Sequence, residues 1–396
     1  MKIVFINTLY HPNIMGGAER SVQYLAEALV KEGHKAVVIS ASEKNVCEAQ
    51  DVNGVKVHYL SLKNIYWPFK KRSNPMFLKP LWHLIDIYNP WMVRYIKEII
   101  KAEKPDIVHT NNLMCFSPLV WSEIKKLSIP IVHTIRDYYL LCPKCTMFDK
   151  YSNCEKQCLI CKGYSFPKIY FTKFVDAVVG VSNYILEKHL SLGAFKGAKH
   201  STIYNAYENK RYYKKSKSDQ GLRLGFIGRI TPNKGIEVIL KAIDKLPLHK
   251  KNITLKIAGS GDKQYIKALS KKYSMNNISF LGFIPVEEFY PEIDVLIIPS
   301  LWNEPLGRIT FEAYSYGVPV IASCRGGIPE LVENESTGFL FDPEKPENLL
   351  KIINDIATRP ELIEQMEDAC LKKAMEFLPG KIAKSYLKIY LSLVKR

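Results

Sequence analysis

Short, nearly continuous runs of valine, isoleucine and leucine recur along the chain, each followed by a turn and then by a helical pattern. Runs that are apolar at every position belong to strands covered on both faces, and such strands form mostly parallel sheets with helices packed on either side. The sequence predicts strands at Lys2–Thr8, Ala36–Ser40, Val55–Leu60, Asp106–Thr110, Pro130–Ile135 and Ala177–Val181. It predicts a helix over Gly17–Leu29, with Val22, Leu25, Ala26 and Leu29 on one face. The rhythm breaks at 206–221, where Asn209 to Gln220 is densely charged and carries no aliphatic residue, as a solvated linker would. It restarts with strands at Leu222–Ile227, Thr254–Ala258, Ile278–Leu281, Asp294–Pro299 and Val318–Ala322. A final helix sets Ile382, Tyr386, Leu387, Tyr390, Leu391 and Val394 on one stripe.

The pattern implies an α/β fold of two doubly wound Rossmann-like domains facing each other across a cleft. The expected division is 1–205, a linker at 206–221, and 222–377, with the helix from about 378 to 396 returning to the first domain. The length of 396 residues suits two such domains better than one core. In doubly wound sheets ligands bind beyond the C-terminal strand ends, so the chemistry is sought in the loops that follow strands.

The net charge of +17 is uneven: +11 over residues 1–200 and +6 over the rest. That excess favours an anionic partner such as a phosphorylated ligand or an anionic membrane surface. No zinc-finger, helix-turn-helix or RNA-recognition signature accompanies it, so nucleic acid is not expected. No run reaches the ~18 apolar residues of a membrane span. Lys2 is followed by only Ile3 to Ile6 before Asn7, too short for a secretory signal. A cytoplasmic protein is expected, peripheral at the inner membrane face, with its nine cysteines reduced or holding metal.

The densest signal is the stretch from Ile297 to Glu312, which reads I-I-P-S-L-W-N-E-P-L-G-R-I-T-F-E. A buried strand ends at Ser300 and a helix is expected to begin near Leu306. Glu304 then lies on the approach loop and Glu312 about a turn and a half into the helix. Gly307 exposes backbone N–H groups at a positive helix end, which suits an anion. Two carboxylates flanking that point suit sugar and ribose hydroxyls; read structurally, they are a dipole partner and a solvated helix face. A second signal is Gly225 to Gly235, where Arg229 and Lys234 follow a strand on one loop. A forked cation and a point cation five residues apart suit a diphosphate, although an ordinary basic loop looks similar. Gly16-Gly17, between the first strand and first helix, allows backbone to approach a phosphate. Neither a G-x-G-x-x-G fingerprint nor a P-loop is present, which argues against hydride transfer and ATP hydrolysis.

Taken together, the chain resembles the family 4 retaining glycosyltransferases of GT-B architecture, of the kind that build polysaccharide and lipopolysaccharide. The matching pieces are Gly16-Gly17, Gly228-Arg229 with Lys234-Gly235, Ala258-Gly259-Ser260-Gly261, Gly282-Phe283, the Glu304/Glu312 pair, and Gly326-Gly327-Ile328-Pro329-Glu330. They occur in family order over nearly the whole chain. The resemblance implies that Arg229 and Lys234 hold the donor diphosphate, that Glu304 contacts the transferred sugar and Glu312 the ribose. It also implies that the backbone near Leu306 and Gly307 meets sugar or phosphate, and that near Phe283 the base. It further implies a hexose moved with retention from a UDP- or GDP-sugar to a glycan or lipid-linked acceptor, with no metal in catalysis. One departure stands out. Where the family usually has His-Asp, this chain has Arg136-Asp137, and arginine is a poor proton carrier. His133, three residues earlier, reads as a core histidine. Two rivals share the architecture: a nucleotide-sugar epimerase, and a protein that keeps the donor site but has lost its chemistry.

Two further stretches call for function. Cys142, Cys145, Cys154, Cys158 and Cys161 fall within twenty residues. A structural zinc on Cys142, Cys154, Cys158 and Cys161, with Cys145 spare, would stiffen a loop with little core; free thiols are the alternative. Residues 61–101 hold eight Lys and Arg, two acids and eight aromatics, among them Trp67, Phe69, Lys70, Lys71, Arg72, Phe77, Trp82, Trp91 and Arg94. That mixture suits an anionic membrane interface, or else aromatics packed on the first domain with solvated cations.

Overall fold

The computed structural model describes residues 1–44, 47–69, 77–208, 221–246 and 252–394. The charged stretch 209–220 and the Lys70-Lys71-Arg72 triplet lie outside them. The strands are β1 (Lys2–Ile6), β2 (Lys35–Ser42), β3 (Glu48–Val52), β4 (Val55–Ser61), β5 (Ile107–Thr110), β6 (Ile131–Ile135), β7 (Phe148–Asp149), β8 (Ser152–Asn153), β9 (Ala177–Gly180), β10 (Lys199–Thr202), β11 (Leu222–Ile227), β12 (Ile253–Ala258), β13 (Ile278–Gly282), β14 (Val295–Ile298), β15 (Val320–Ser323) and β16 (Gly338–Phe341). The helices are α1 (Gly17–Lys31), α2 (Leu78–Ile87), α3 (Pro90–Glu103), α4 (Leu119–Lys125), α5 (Leu159–Phe171), α6 (Asn183–Ser191), α7 (Ile236–Asp244), α8 (Lys263–Lys272), α9 (Val286–Phe289), α10 (Ile309–Tyr314), α11 (Pro346–Thr358), α12 (Glu361–Ala374) and α13 (Pro379–Val394).

The chain forms two compact units. The first comprises Met1–Met147, Cys154–Glu208 and Pro379–Arg396; the second comprises Asn209–Leu378 together with the hairpin Phe148–Asn153. The first contains an eight-stranded sheet of order β10-β9-β6-β5-β1-β2-β4-β3. All its pairs are parallel except β3 with β4. The second contains a wholly parallel six-stranded sheet of order β13-β12-β11-β14-β15-β16. Both are doubly wound α/β sheets, and strand order reverses between β1 and β5 in one and between β11 and β14 in the other. Loops diverge at such a reversal and leave room for a ligand. The two loops with the densest chemistry, after β11 and after β14, flank the reversal of the second sheet.

Strands β3, β10 and β16 were not expected from the pattern. β3 and β10 are edge strands with mixed polar sequences, EAQDV and KHST, and β16 is an edge strand of four residues. Covered on fewer sides, they lack the aliphatic run that marks a central strand.

Helix α13 belongs to the first unit and packs on α1. Its buried face is Ile382, Ala383, Tyr386, Tyr390 and Leu393; Leu391 and Val394 of the expected stripe are exposed. Buried hydrogen bonds fix its register. His109 Nδ1 meets the Tyr390 hydroxyl at 2.7 Å and His109 Nε2 meets Thr134 Oγ1 at 2.7 Å, while Thr134 also meets the Tyr386 hydroxyl at 3.0 Å. Burial holds His109 neutral, its pKa well below the ordinary histidine value.

Candidate active site

In the second unit, β11 ends at Ile227 and the chain turns through Gly228, with φ +146, to Arg229, which is exposed. Residues Pro232–Lys234 make one tight turn before α7. Gly235 closes it at φ +72, where a Cβ would lie 1.9 Å from the Pro299 carbonyl oxygen. Only glycine lets this loop pack so closely against the end of β14. The result is that Asn233 O accepts from Leu301 N at 3.0 Å and from Trp302 N at 3.2 Å.

Lys234 thereby reaches the loop after β14. Its Nζ lies 2.8 Å from Glu304 Oε1 and 5.2 Å from the Trp302 ring centroid. The Glu304 side chain is 10 % exposed and that of Lys234 26 %. From the other side Gly327 N donates to Glu304 O at 2.8 Å, and Gly326 N to Asn303 Oδ1 at 3.2 Å. Gly326 has φ +59, and a Cβ there would lie 2.1 Å from Glu304 O. Gly235 and the Gly326-Gly327 pair are thus the points where other loops clamp the Glu304 loop.

The helix after this loop starts later than expected. α10 begins at Ile309, so Leu306 and Gly307 stand before it and Glu312 falls within its first turn. Gly307 has φ +92 and turns the chain into the helix. Six residues carry a weak macrodipole, so the helix end itself adds little positive charge here. Glu312 Oε1 accepts from Arg308 Nε at 2.7 Å, which fixes the carboxylate. Phe283, after β13, is 84 % exposed, as an unstacked ring would be.

In the first unit, Gly16 is the N-cap of α1 and its N–H donates to Glu19 Oε2 at 3.0 Å. The backbone that the sequence offered to a phosphate is thus already satisfied by an acid. Arg136 directly follows β6; its Nε donates to Asn111 Oδ1 at 2.9 Å and its Nη1 to Asn205 Oδ1. Asp137 accepts from Asn112 Nδ2 at 2.6 Å and from Tyr139 N at 2.7 Å. Burial raises the Asp137 carboxyl to about 6. His133 is a core residue, 4 % exposed, hydrogen-bonded to Thr110 at 2.9 Å and stacked on Phe195. Burial lowers its pKa to about 3, so it carries no charge at neutral pH.

Of the cysteines named as zinc ligands, Cys142 and Cys161 approach to 3.9 Å between sulfurs. Cys158 caps α5 and its sulfur accepts from Cys161 N at 3.4 Å. Among the described residues no three or more His, Cys, Asp or Glu side chains stand close enough to hold a metal. A zinc shell would require Cys154 and Cys158 to close on the Cys142–Cys161 pair.

Of the basic aromatic stretch, Trp82 is buried, with its indole N–H donating to Tyr66 O at 2.9 Å. Phe77, Leu81, Leu84, Tyr88 and Trp91 are exposed. Sequence reasoning missed α5, which packs on α2 with His83 edge-on to Tyr164. α5 is inverted: Ser165 and Lys168 face in, while Leu159, Ile160, Phe166 and Tyr170 face out. Lys168 Nζ is buried, donates to Tyr139 O at 3.0 Å and sits 3.5 Å from the centre of that ring. The signal was present in the sequence: α5 has no acid, and Lys168 shares a face with Ser165.

Comparison with known proteins identifies the family and the fold. Residues 209–373 match the family described as glycosyl transferases group 1, and residues 15–211 match glycosyltransferase family 4. An uncharacterized 42.6 kDa protein in the cps region of Klebsiella pneumoniae is 39 % identical over 332 residues, 84 % of this chain and 87 % of that one. Sucrose-phosphate synthase from Thermosynechococcus elongatus superposes with a TM-score of 0.77 at 20 % identity, covering 99 % of this chain and 98 % of its own. Anabaena Alr3699/HepE in complex with UDP gives 0.73 at 19 % identity, covering 99 % and 100 %. The chain belongs to the family 4 glycosyltransferases and has the GT-B fold.

Proposed function

We propose that this glycosyltransferase moves a hexose from a UDP- or GDP-sugar to a hydroxyl of a glycan or lipid-linked acceptor, with retention at the anomeric carbon. The observation that carries the reading is the contact of Lys234, which shares its loop with Arg229, with Glu304 at the strand-order reversal of the second sheet. Before the donor binds, Glu304 balances the charge of Lys234. A diphosphate entering beside Arg229 takes over that role and leaves Glu304 facing the sugar that the diphosphate carries. As the sugar–phosphate bond breaks, negative charge grows on the departing diphosphate. The two cations stabilise that charge most in the transition state, where it is largest. On this reading the cations do the work that a divalent metal does elsewhere, and catalysis is independent of metal. Arg308 holds Glu312 to receive the ribose. The complex of HepE with UDP supports a uridine donor among the candidates.

The acceptor side is proposed to meet an anionic membrane surface. The support is the outward apolar face of α5 together with α2 and the exposed Phe77, Tyr88 and Trp91. Lys162 and Lys173 accompany that face, and 156–174 contains no acid. A cavity of about 700 Å³ beside it is lined by Leu62, Ile65, Ile85, Trp91 and Tyr95 together with Asn64, Lys63, Arg94 and Glu98, and Arg94 Nε lies 3.1 Å from Glu98 Oε1. Apolar walls with a net positive charge, Lys63 beside the Arg94–Glu98 pair, suit an amphiphile with an anionic head. No helix among the described residues is long and apolar enough to cross a membrane. A structural zinc at the cysteine segment is proposed separately, starting from the Cys142–Cys161 contact.

The test is a panel of UDP- and GDP-hexoses offered with lipid-linked glycan acceptors in the presence of a chelator. Released nucleotide and the anomeric configuration of the product are measured. Transfer with retention is expected. Donor turnover to an isomeric nucleotide sugar without acceptor would instead indicate the epimerase, and binding without turnover a donor-binding protein.

A further inference from the structure

The second unit includes six residues from the first half of the chain, the hairpin of β7 and β8. Two strands of two residues each are too short to be stable alone. The hairpin is nevertheless firmly set. Cys154 N donates to Met147 O at 2.8 Å and closes its base. Cys145 and Met147 adopt left-handed backbone, φ 57 and 48, which non-glycine residues hold only where their surroundings impose it.

The hairpin delivers one side chain to the loop after β14. Asn153 Nδ2 donates to Leu301 O at 2.7 Å, and Asn153 Oδ1 accepts from Asn303 N at 2.8 Å. A carboxamide carries a donor and an acceptor side by side, so it pairs with two backbone groups at once. The pair spans Trp302 and ends one residue before Glu304. Residues 301–304 are therefore held by three segments distant in sequence: Asn233, Gly326-Gly327 and Asn153. The first two belong to the donor-site motifs. The third does not, and comes from the cysteine-rich segment.

We propose that Asn153 is a positioning residue that sets the Glu304 loop, and through it the rate of sugar transfer rather than nucleotide affinity. This rests on the reading of Glu304 as the residue that meets the transferred sugar. Arg229 and Lys234 are carried by the β11 loop, so nucleotide binding does not depend on the clamp in the same degree. Glu304 follows it directly, and a small displacement there moves the carboxylate away from the reacting centre.

The experiment uses the full chain and whichever of UDP-glucose, UDP-galactose and GDP-mannose it turns over fastest. Nucleotide release gives kcat and KM, calorimetry with the matching nucleoside diphosphate gives Kd, and amide exchange reports on Asn303. Asn153→Ala is expected to lower kcat by roughly tenfold or more, with KM and Kd changed by less than about twofold. Exchange at the Asn303 amide should rise. Asn153→Asp keeps an acceptor for Asn303 N–H but sets an oxygen against Leu301 O, so it should restore protection at Asn303 without restoring the rate. Wild-type kcat in Asn153→Ala overturns the proposal, as does a loss of kcat matched by an equal loss of nucleotide binding. If Asn153→Ala does not fold, Asn153→Asp decides on the same two criteria. Glu304→Ala is measured alongside. Should it retain wild-type kcat, the reading of Glu304 fails and this proposal with it; should it be slow while Asn153→Ala is normal, only the role of Asn153 falls.

Discussion

Replacing Glu304 by glutamine keeps the shape of the side chain and removes its charge. The account then expects two effects of opposite sign. Lys234 Nζ and Glu304 Oε1 are 2.8 Å apart, with Glu304 nearly buried and Lys234 a quarter exposed. Two unit charges about 4 Å apart attract by about 4 kcal/mol at an effective dielectric of 20. Desolvation and screening by the solvent at Lys234 offset most of that, leaving about 1–2 kcal/mol net. In Glu304→Gln this amount no longer competes with an incoming diphosphate, so UDP or GDP should bind roughly fivefold to thirtyfold tighter. A charge-assisted hydrogen bond to the sugar is lost at the same time. At about 1.5–3 kcal/mol, its removal slows transfer by roughly tenfold to a hundredfold. Lys234→Ala should do the reverse to binding, because it leaves the Glu304 carboxylate unbalanced where the diphosphate arrives. Calorimetry with UDP and GDP and steady-state kinetics with the active nucleotide sugar measure both variants. If nucleotide binding weakens equally in the two, the pair is a structural ion pair and the reasoning fails.

Glu312→Ala should raise donor KM by roughly tenfold with a smaller change in kcat, since it removes a contact made equally in ground and transition states; unchanged steady-state kinetics would remove Glu312 from the site. Liposomes rich in anionic lipid should sediment the protein at low salt, and neutral liposomes much less. Ile160→Glu with Phe166→Glu, on the outward face of α5, should abolish most of that binding and leave nucleotide binding intact. Equal sedimentation of wild type and double variant would make a soluble acceptor the better reading. In alkylation experiments Cys158 should react first, because hydrogen bonds from Cys161 lower its pKa and it is exposed. Burial pushes Cys161 up to about 12 and should keep it slow. The proposed zinc should protect Cys158, and identical alkylation with and without zinc would remove it.

The central strands of both sheets were legible because burial on both faces writes itself as an aliphatic run. Edge strands such as β10, with sequence KHST, carry no such mark. The Glu304 and Glu312 loops were legible because the glycines that clamp them lie in fixed motifs, although the start of α10 at Ile309 was misplaced by three residues. Gly307 and Arg308 fit a helix pattern locally; the positive φ of Gly307 delays its start. The contact of Lys234 with Glu304 spans seventy residues, and no local pattern reports it. Asn153 is the extreme case. Its partners Leu301 and Asn303 lie about 150 residues away, and an asparagine in a polar turn looks like a turn residue. Helix α5 was missed for a different reason. Its apolar residues suggest a core face, while the structure turns Lys168 inward to Tyr139 and leaves the apolar residues in solvent.

The most direct test of the donor site is a thermal-shift comparison of the wild type with the double variant Arg229→Ala, Lys234→Ala, across UDP- and GDP-sugars. A ligand that binds only the folded state at a hundred times its Kd adds about 2.7 kcal/mol of stability, a clear rise in Tm. The account predicts that at least one nucleotide sugar raises the Tm of the wild type and that the double variant, folded and of similar Tm without ligand, loses the shift. An equal shift in both proteins would contradict it, because the diphosphate would then be held somewhere other than beside Arg229 and Lys234.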